Sequence, residues 1–163
     1  MAIWYEVEKT DSGIRGFLDC VAYFHDYKIE RIRYDPDNHN AEVFFKYDKL
    51  EGSMIIRFLN VPAMNIGVTV HSWLEDYIFG AVLLRLDNGN MLWINDGRFG
   101  EESSKHIEEL KADSSWIEAE RIIWAVTDEN GNPAEMPDHM IDQTWITYGK
   151  ETRHHFDLKP YEE

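Results

Sequence analysis

Two apolar runs, 77–86 and 91–94, flank the dipeptide Asn88-Gly89, and few segments of a chain leave so little choice of local structure. Asn-Gly supplies the two positive-φ positions of a two-residue type I′ turn, so the runs are expected to fold back as an antiparallel hairpin. That turn pairs Asp87 with Asn90, Leu86 with Met91 and Leu84 with Trp93. Leu84, Leu86, Met91 and Trp93 then share one face with Val82 and Ile78. Leu83, Arg85, Leu92 and Ile94 take the other, and a slip of one residue would exchange the two sets.

The same alternation recurs along the chain. Residues 27–34 and 42–47 flank Asp35-Pro36-Asp37-Asn38-His39-Asn40, a stretch dense in turn formers, and predict a second hairpin. Ile29 and Ile32 are three apart rather than two, which calls for a bulge or a later strand start. Ser53–Leu59 sets Met54, Ile56 and Phe58 against Ile55, Arg57 and Leu59, a third strand of an antiparallel meander. Residues 119–126 (Ile122, Trp124 and Val126 on one side) and 143–148 also read as strands. Asn130-Gly131 is a turn, while Pro133 and Pro137 exclude a central strand after it. Phe17, Val21 and Phe24 at i, i+4, i+7 predict a short amphipathic helix over 15–24. Ile107 and Leu110 make a weaker case for another over 103–112, with Ser103 or Ser104 as its N-cap, and strand is the alternative for both stretches. The expected architecture is mainly β (α+β): one domain over 1–163, an antiparallel β-sandwich or half-barrel with one or two short helices.

Composition excludes several function classes. Hydrophobic residues are 44% of the 163, enough to offset chain entropy and argue against disorder. The 31 acids outnumber the 16 bases for a net charge of −15, without the basic footprint that nucleic acid requires. No run approaches the about 20 apolar residues of a membrane span. The start, Met-Ala-Ile-Trp-Tyr-Glu-Val-Glu, has neither the basic nor the apolar region of a secretory signal. With Cys20 the single cysteine, the expected setting is a reducing cytoplasm. The acidity is local: residues 96–142 hold 13 acids against four bases. Such a stretch is either a solvated face that keeps the chain soluble or a docking surface for a basic partner.

Phosphate-binding loops, dinucleotide fingerprints, H-E-x-x-H, C-x-x-C, G-x-S-x-G and EF-hand spacing are all missing from the sequence. Weaker constellations remain. His25-Asp26 has the carboxylate–imidazole pairing of an acid–base site, or is a capping carboxylate beside a packed ring. His154-His155 with Asp157 invites a metal, yet adjacent strand residues point to opposite faces, so only His155 and Asp157 would meet. Asp138, His139 and Asp142 would gather only on a helical turn, and Pro137 argues for a loop. Cys20, between apolar neighbours, reads as a small buried hydrophobe rather than a nucleophile. Of the six tryptophans, Trp93 and Trp124 fall at core positions, Trp4 and Trp73 at none. No catalytic residue, metal ligand or cofactor is assigned.

The run Phe24-His25-Asp26-Tyr27-Lys28-Ile29-Glu30-Arg31-Ile32-Arg33-Tyr34-Asp35, followed by Val43-Phe44-Phe45-Lys46-Tyr47 and Ile55-Ile56-Arg57-Phe58-Leu59-Asn60-Val61, resembles the opening of a group of small bacterial β-rich proteins. Some of these are immunity proteins of polymorphic toxin systems, cytoplasmic binders that neutralise a toxin domain. The resemblance covers residues 17–61 and implies a β-rich cytoplasmic protein; it carries over no catalytic residues. The leading expectation is therefore a non-enzymatic protein-binding module, an immunity-like inhibitor of a basic partner. Its rim would be Glu101, Glu102, Glu108, Glu109, Asp113, Glu118 and Glu120, with Trp116 as aromatic anchor. A small-ligand or carbohydrate-binding β-domain and a metal-dependent hydrolase using His25, Asp26, His139 or His154/His155 are the alternatives. Either a monomer or a homodimer is expected, the latter by pairing of an exposed edge strand such as 142–148.

Overall fold

The computed structural model describes residues 3–48, 50–66, 77–78, 81–95 and 107–163, with the side chains at 77, 78, 110 and 113 excepted. After β1 (Tyr5–Glu6), helix α1 runs Asp11–Cys20. The Thr10 side chain accepts from the Gly13 N–H at 2.9 Å and sets its start. A Cβ on Gly13 would lie 2.6 Å from the Glu8 Cβ, so only glycine fits there. The helix thus begins four residues before the expected 15 and ends at Cys20 rather than 24. The apolar stripe nonetheless lands inside, with Ile14, Phe17, Leu18, Val21 and Phe24 all buried.

What ends the helix is a turn of the opposite hand. Ala22, Tyr23 and Phe24 all lie in the left-handed region, at φ 51°, 53° and 60°, which costs about 1–2 kcal/mol per residue with a Cβ. The Tyr23 carbonyl accepts from the Ala81 N–H at 2.9 Å. Phe24, completely buried, meets Phe17, Tyr27, Phe45 and Trp93 at centroid distances of 5.8, 5.4, 5.1 and 6.4 Å. Each such aromatic contact is worth about 0.5–1.5 kcal/mol beyond burial, enough together to offset the strained backbone.

Strands β2 (Tyr27–Asp35), β3 (Asn40–Lys46) and β4 (Ser53–Leu59) form the expected meander, and the register shifts between Ile29 and Arg31, the bulge that the Ile29–Ile32 spacing requires. In the connecting turn the Asp35 carboxylate accepts from the Asp37 N–H at 3.0 Å and the Asn38 amide at 2.7 Å. Next come β5 (Ala63–Asn65), β6 (Tyr77–Ile78), β7 (Val82–Arg85), β8 (Met91–Ile94) and α2 (Ile107–Asp113). After these lie β9 (Trp116–Ala119), β10 (Arg121–Thr127), β11 (Pro133–Ala134) and α3 (Asp138–Ile141). The last strands are β12 (Asp142–Thr147), β13 (Lys150–His155) and β14 (Lys159–Pro160). The larger antiparallel sheet has the order β14-β1-β10-β4-β3-β2-β6, with β11 beside β10; the smaller is β5-β9-β8-β7; β12 and β13 make a separate ribbon. Neither large sheet closes into a barrel. One core takes side chains from α1 and from both sheets, where Trp93 of β8 meets Phe45 and Phe58 at 6.2 and 6.1 Å.

Three sequence expectations are corrected. The Asn88-Gly89 hairpin exists, but Leu83 pairs with Trp93 and Arg85 with Met91, one residue from the expected register. Gly89, at φ +88°, donates to the Leu86 carbonyl, and Leu86 N–H to that of Asn90. The loop therefore has three residues, a type I turn followed by a left-handed glycine. The pattern did not fix the register because both faces are apolar and both are covered. Leu83, Met91 and Trp93 enter the shared core, whereas Leu92 and Ile94 pack with Leu84, Leu86, Ile107 and Trp116. Second, the runs 77–86 and 119–126 are not single strands: β6 and β7 of the first belong to different sheets, as do β9 and β10 of the second, which meet at Glu120. Third, residues 138–141 make a helical turn, not a loop, since Pro137 at its N-cap has no helical hydrogen bond to lose.

Truncation at the aromatic centre should be costly. Phe24→Ala is expected to lower unfolding free energy by about 3–5 kcal/mol, read by chemical denaturation. A loss under about 1 kcal/mol would mean that the left-handed turn holds without the ring.

Candidate functional site

The smaller sheet turns one face to the core and the other outward, under α2. On β9, alternation sends Ile117 and Ala119 inward and Trp116 and Glu118 outward. Glu120 follows at the corner where the chain crosses to the larger sheet, with its N–H bonded to the Leu59 carbonyl at 3.0 Å. Glu108 and Glu109 are exposed in the first turn of α2, where the helix dipole favours carboxylates. The acids proposed from sequence as a rim are thus not equivalent. Glu108, Glu109 and Glu120 face solvent, and Glu120 accepts from the Asn60 amide at 3.0 Å. Glu118 is half-buried and accepts from both Asn88 and Asn90 amides at 2.9 Å, bracing the β7–β8 loop. Burial alone would raise its pKa, but those two hydrogen bonds and the nearby Lys111 hold it below the usual value. Trp116 is half-buried against Leu92 and Ile94, with the Lys111 ammonium 4.2 Å from its ring centroid. Asp113 ends α2; Glu101 and Glu102, like Trp73, Ser103 and Ser104, lie outside the described residues.

The outer face of the larger sheet has the opposite character, which the sequence reading missed. Glu42 is held from both sides: Arg33 Nε donates to Oε1 at 3.1 Å, and Arg57 Nε and Nη2 donate to Oε2 at 3.1 and 3.0 Å. Glu6 receives Arg121 Nε at 2.8 Å and the Lys159 ammonium at 3.4 Å. Four guanidinium groups also lie over rings: Arg31 and Arg33 on Phe44 at 4.0 and 5.9 Å, Arg57 on Trp4 at 4.4 Å and Arg121 on Tyr161 at 5.0 Å. Arg31 and Arg33, two apart on β2, were the available signal for this face. By layer order, it lies on the side of the molecule opposite α2 and the outer side of β9.

The nucleophile and histidine candidates do not converge. Cys20 is buried, its thiol donates to the Met140 carbonyl at 3.3 Å, and burial pushes its pKa up to about 12. His25 Nδ1 lies 2.9 Å from the Asp26 carboxylate, with both side chains largely in solvent. His154 lies against Trp145, centroid to centroid 3.8 Å. His155 is the best-held imidazole: Nδ1 is 2.6 Å from Asp142 and Nε2 3.4 Å from Asp157. The Asp157 contact follows from strand alternation, while the Asp142 contact needed the β12–β13 pairing, invisible in the polar run 150–155. Asp142 is thereby the first residue of β12 rather than a member of a cluster with Asp138 and His139. Of these groups only His155 and Asp157 border a cleft of about 470 Å³ between α1, β1 and residues 155–159, lined also by Phe17, Trp124 and Leu158. A carboxylate at each nitrogen favours the protonated form of His155. Among the described residues, no three His, Cys, Asp or Glu side chains are placed to hold a metal ion. No helix among them is long and apolar enough to cross a membrane. No protein-family model, curated protein or solved structure matches the chain.

Two titrations test these assignments. The hydrogen bond that His155 donates to Asp142, then the charges of Asp142 and Asp157, raise the His155 pKa above the ordinary 6.5. The stabilisation is thus full below the unfolded value and lost as pH rises through the folded one. Ring-proton NMR should find His155 titrating above 6.5, and lower in Asp142→Asn, where only Asp157 still raises it. At Glu42, burial raises the pKa, but the Arg33 and Arg57 hydrogen bonds outweigh it and hold the group below 4.5. Its contribution is present above the unfolded pKa and fades as pH falls through the folded one. Glu42→Gln should cost about 1–3 kcal/mol at neutral pH and less in acid, by denaturant titration at both.

Proposed function

We propose that this chain works by binding rather than by chemistry: a non-enzymatic module, acting as an immunity-like inhibitor, whose acidic side receives a basic protein partner. The observation that carries this reading is the sorting of charge onto opposite faces. Five bases of the larger sheet and its flanks, Arg31, Arg33, Arg57, Arg121 and Lys159, are engaged in place, on Glu42, Glu6 and three aromatic rings. On the other side Lys111, the only base of α2, is laid on Trp116. Glu108, Glu109 and Glu120 are solvent-exposed in the part of the chain where acids most outnumber bases. Such a field raises the on-rate for a basic surface and rejects acidic competitors.

Glu118 is a positioning residue in this reading, since Asn88 and Asn90 already occupy it. The candidate chemistry supports the same side. The thiol is buried, the His25–Asp26 pair stands on the surface without a nucleophile bonded to it among the described residues, and His155 is held by two carboxylates. The tryptophan rings support protein over sugar as the ligand: Trp93 and Trp124 are interior, and Trp4, Trp116 and Trp145 each carry a cation or ring on a face. A bacterial cytoplasm is the setting this reading takes, with a single reduced cysteine.

The test is a paired capture. Wild type and the triple variant Glu108→Gln/Glu109→Gln/Glu120→Gln are immobilised side by side in lysate. The retained partner should have a pI above about 9, bind the variant at least about tenfold more slowly, and show a flatter salt dependence there. Equal kinetics on both surfaces, or an acidic partner, would sink the assignment.

A further inference from the structure

The β12–β13 ribbon joins neither larger sheet, and only its base is anchored. The Gln143 amide donates to the carbonyls of Cys20 and Met140, both at 2.9 Å, and Phe156 N–H to that of Ile141 at 2.9 Å. Beyond the Trp145–His154 stack, the ribbon stands in solvent. Tyr148 and Gly149, at φ 51° and 76°, close it as a two-residue turn. The flanking pair Thr147–Lys150 exchanges both its hydrogen bonds, so alternation turns the N–H and C=O of Thr144 and Ile146 to the outer edge. No strand lies beside that edge among the described residues.

The two edges differ in chemistry. β13 carries Lys150, Glu151 and Arg153, charges of the kind that protect an edge from pairing. Residues 143–148 read Gln-Thr-Trp-Ile-Thr-Tyr, six uncharged, β-prone residues in a chain that is 29% charged. Ile146 is 75% exposed and Tyr148 wholly so. An isolated two-stranded ribbon is marginal in water, and this one leaves its pairing edge open.

We propose that β12 pairs antiparallel with β12 of a second copy across a two-fold axis, giving one four-stranded sheet. A second copy fits for three reasons. A strand paired antiparallel with itself makes an isologous contact that closes. In the register centred on Trp145, Thr144 meets Ile146 of the second copy twice, so the outward backbone groups of both are satisfied. Residues 143–148 bring no like charges together although each copy carries −15, and the charged β13 edges stop growth at two copies.

Sedimentation velocity on the full chain, from micromolar to about 1 mM, reads the association. Because the interface is uncharged and the bodies repel, the dimer should tighten between about 0.05 and 0.5 M sodium chloride. Ile146→Lys should weaken it at least about tenfold. So should Thr144→Pro, which removes an outward N–H and leaves the inner ladder intact; far-ultraviolet circular dichroism checks that both variants stay folded. A monomer throughout, a dimer unaffected by both variants, or one that loosens with salt would overturn the proposal.

Discussion

The packing of Phe24 holds the molecule together across its layers. Its ring touches one aromatic side chain each from α1, β2, β3 and β8, so helix, larger sheet and smaller sheet meet at a single residue. The chain reaches that position only through three successive left-handed residues, a conformation that ordinary side chains rarely adopt even singly. The density of rings has its own cost: the Tyr27 hydroxyl and the Trp93 indole N–H are buried without a partner among the described residues. An unmade hydrogen bond costs about 1–3 kcal/mol per group, so apolar contact must exceed backbone strain and polar loss together.

Because both sheets share that centre, one continuous stretch of chain can serve two sheets. Residues 116–127 do so, with β9 in the smaller sheet and β10 in the larger. The crossing point is Glu120, whose N–H bonds to β4 while its carboxylate stays outside. The acidic side is therefore built on the corner that joins the layers, and β9 fixes the direction of Trp116 and Glu118 through Ile117, buried at the common core. The surface inherits its geometry from the interior.

What the sequence made legible was the part governed by nearest neighbours. The β2–β4 meander, the bulge after Ile29 and the inward set Met54, Ile56 and Phe58 follow from alternation on strands with one apolar face. The β7–β8 register did not, because two buried faces remove the contrast that specifies register; the Asn88 and Asn90 side chains, bonded to Glu118, favour the longer loop instead. The strand β13 was silent because Lys-Glu-Thr-Arg-His-His has no apolar face to declare, and so the Asp142–His155 contact was hidden. In the candidate site, exposure of Glu108, Glu109 and Glu120 was legible from charge alone. The bracing role of Glu118 was not, since it depends on a turn nearly thirty residues away in the chain.

If the acidic side receives a basic partner as proposed, the described charges would set a dipole running from the Arg31–Arg57 side of the larger sheet to the α2 side of the smaller one. A partner's field therefore exerts a torque as well as a force, and the molecule turns before it touches. At physiological ionic strength the screening length is about 8 Å, so this alignment acts only in the last moments of approach. Within that range it converts random collisions into oriented ones, with the acidic side leading toward a cationic surface and the arginine-stacked side trailing.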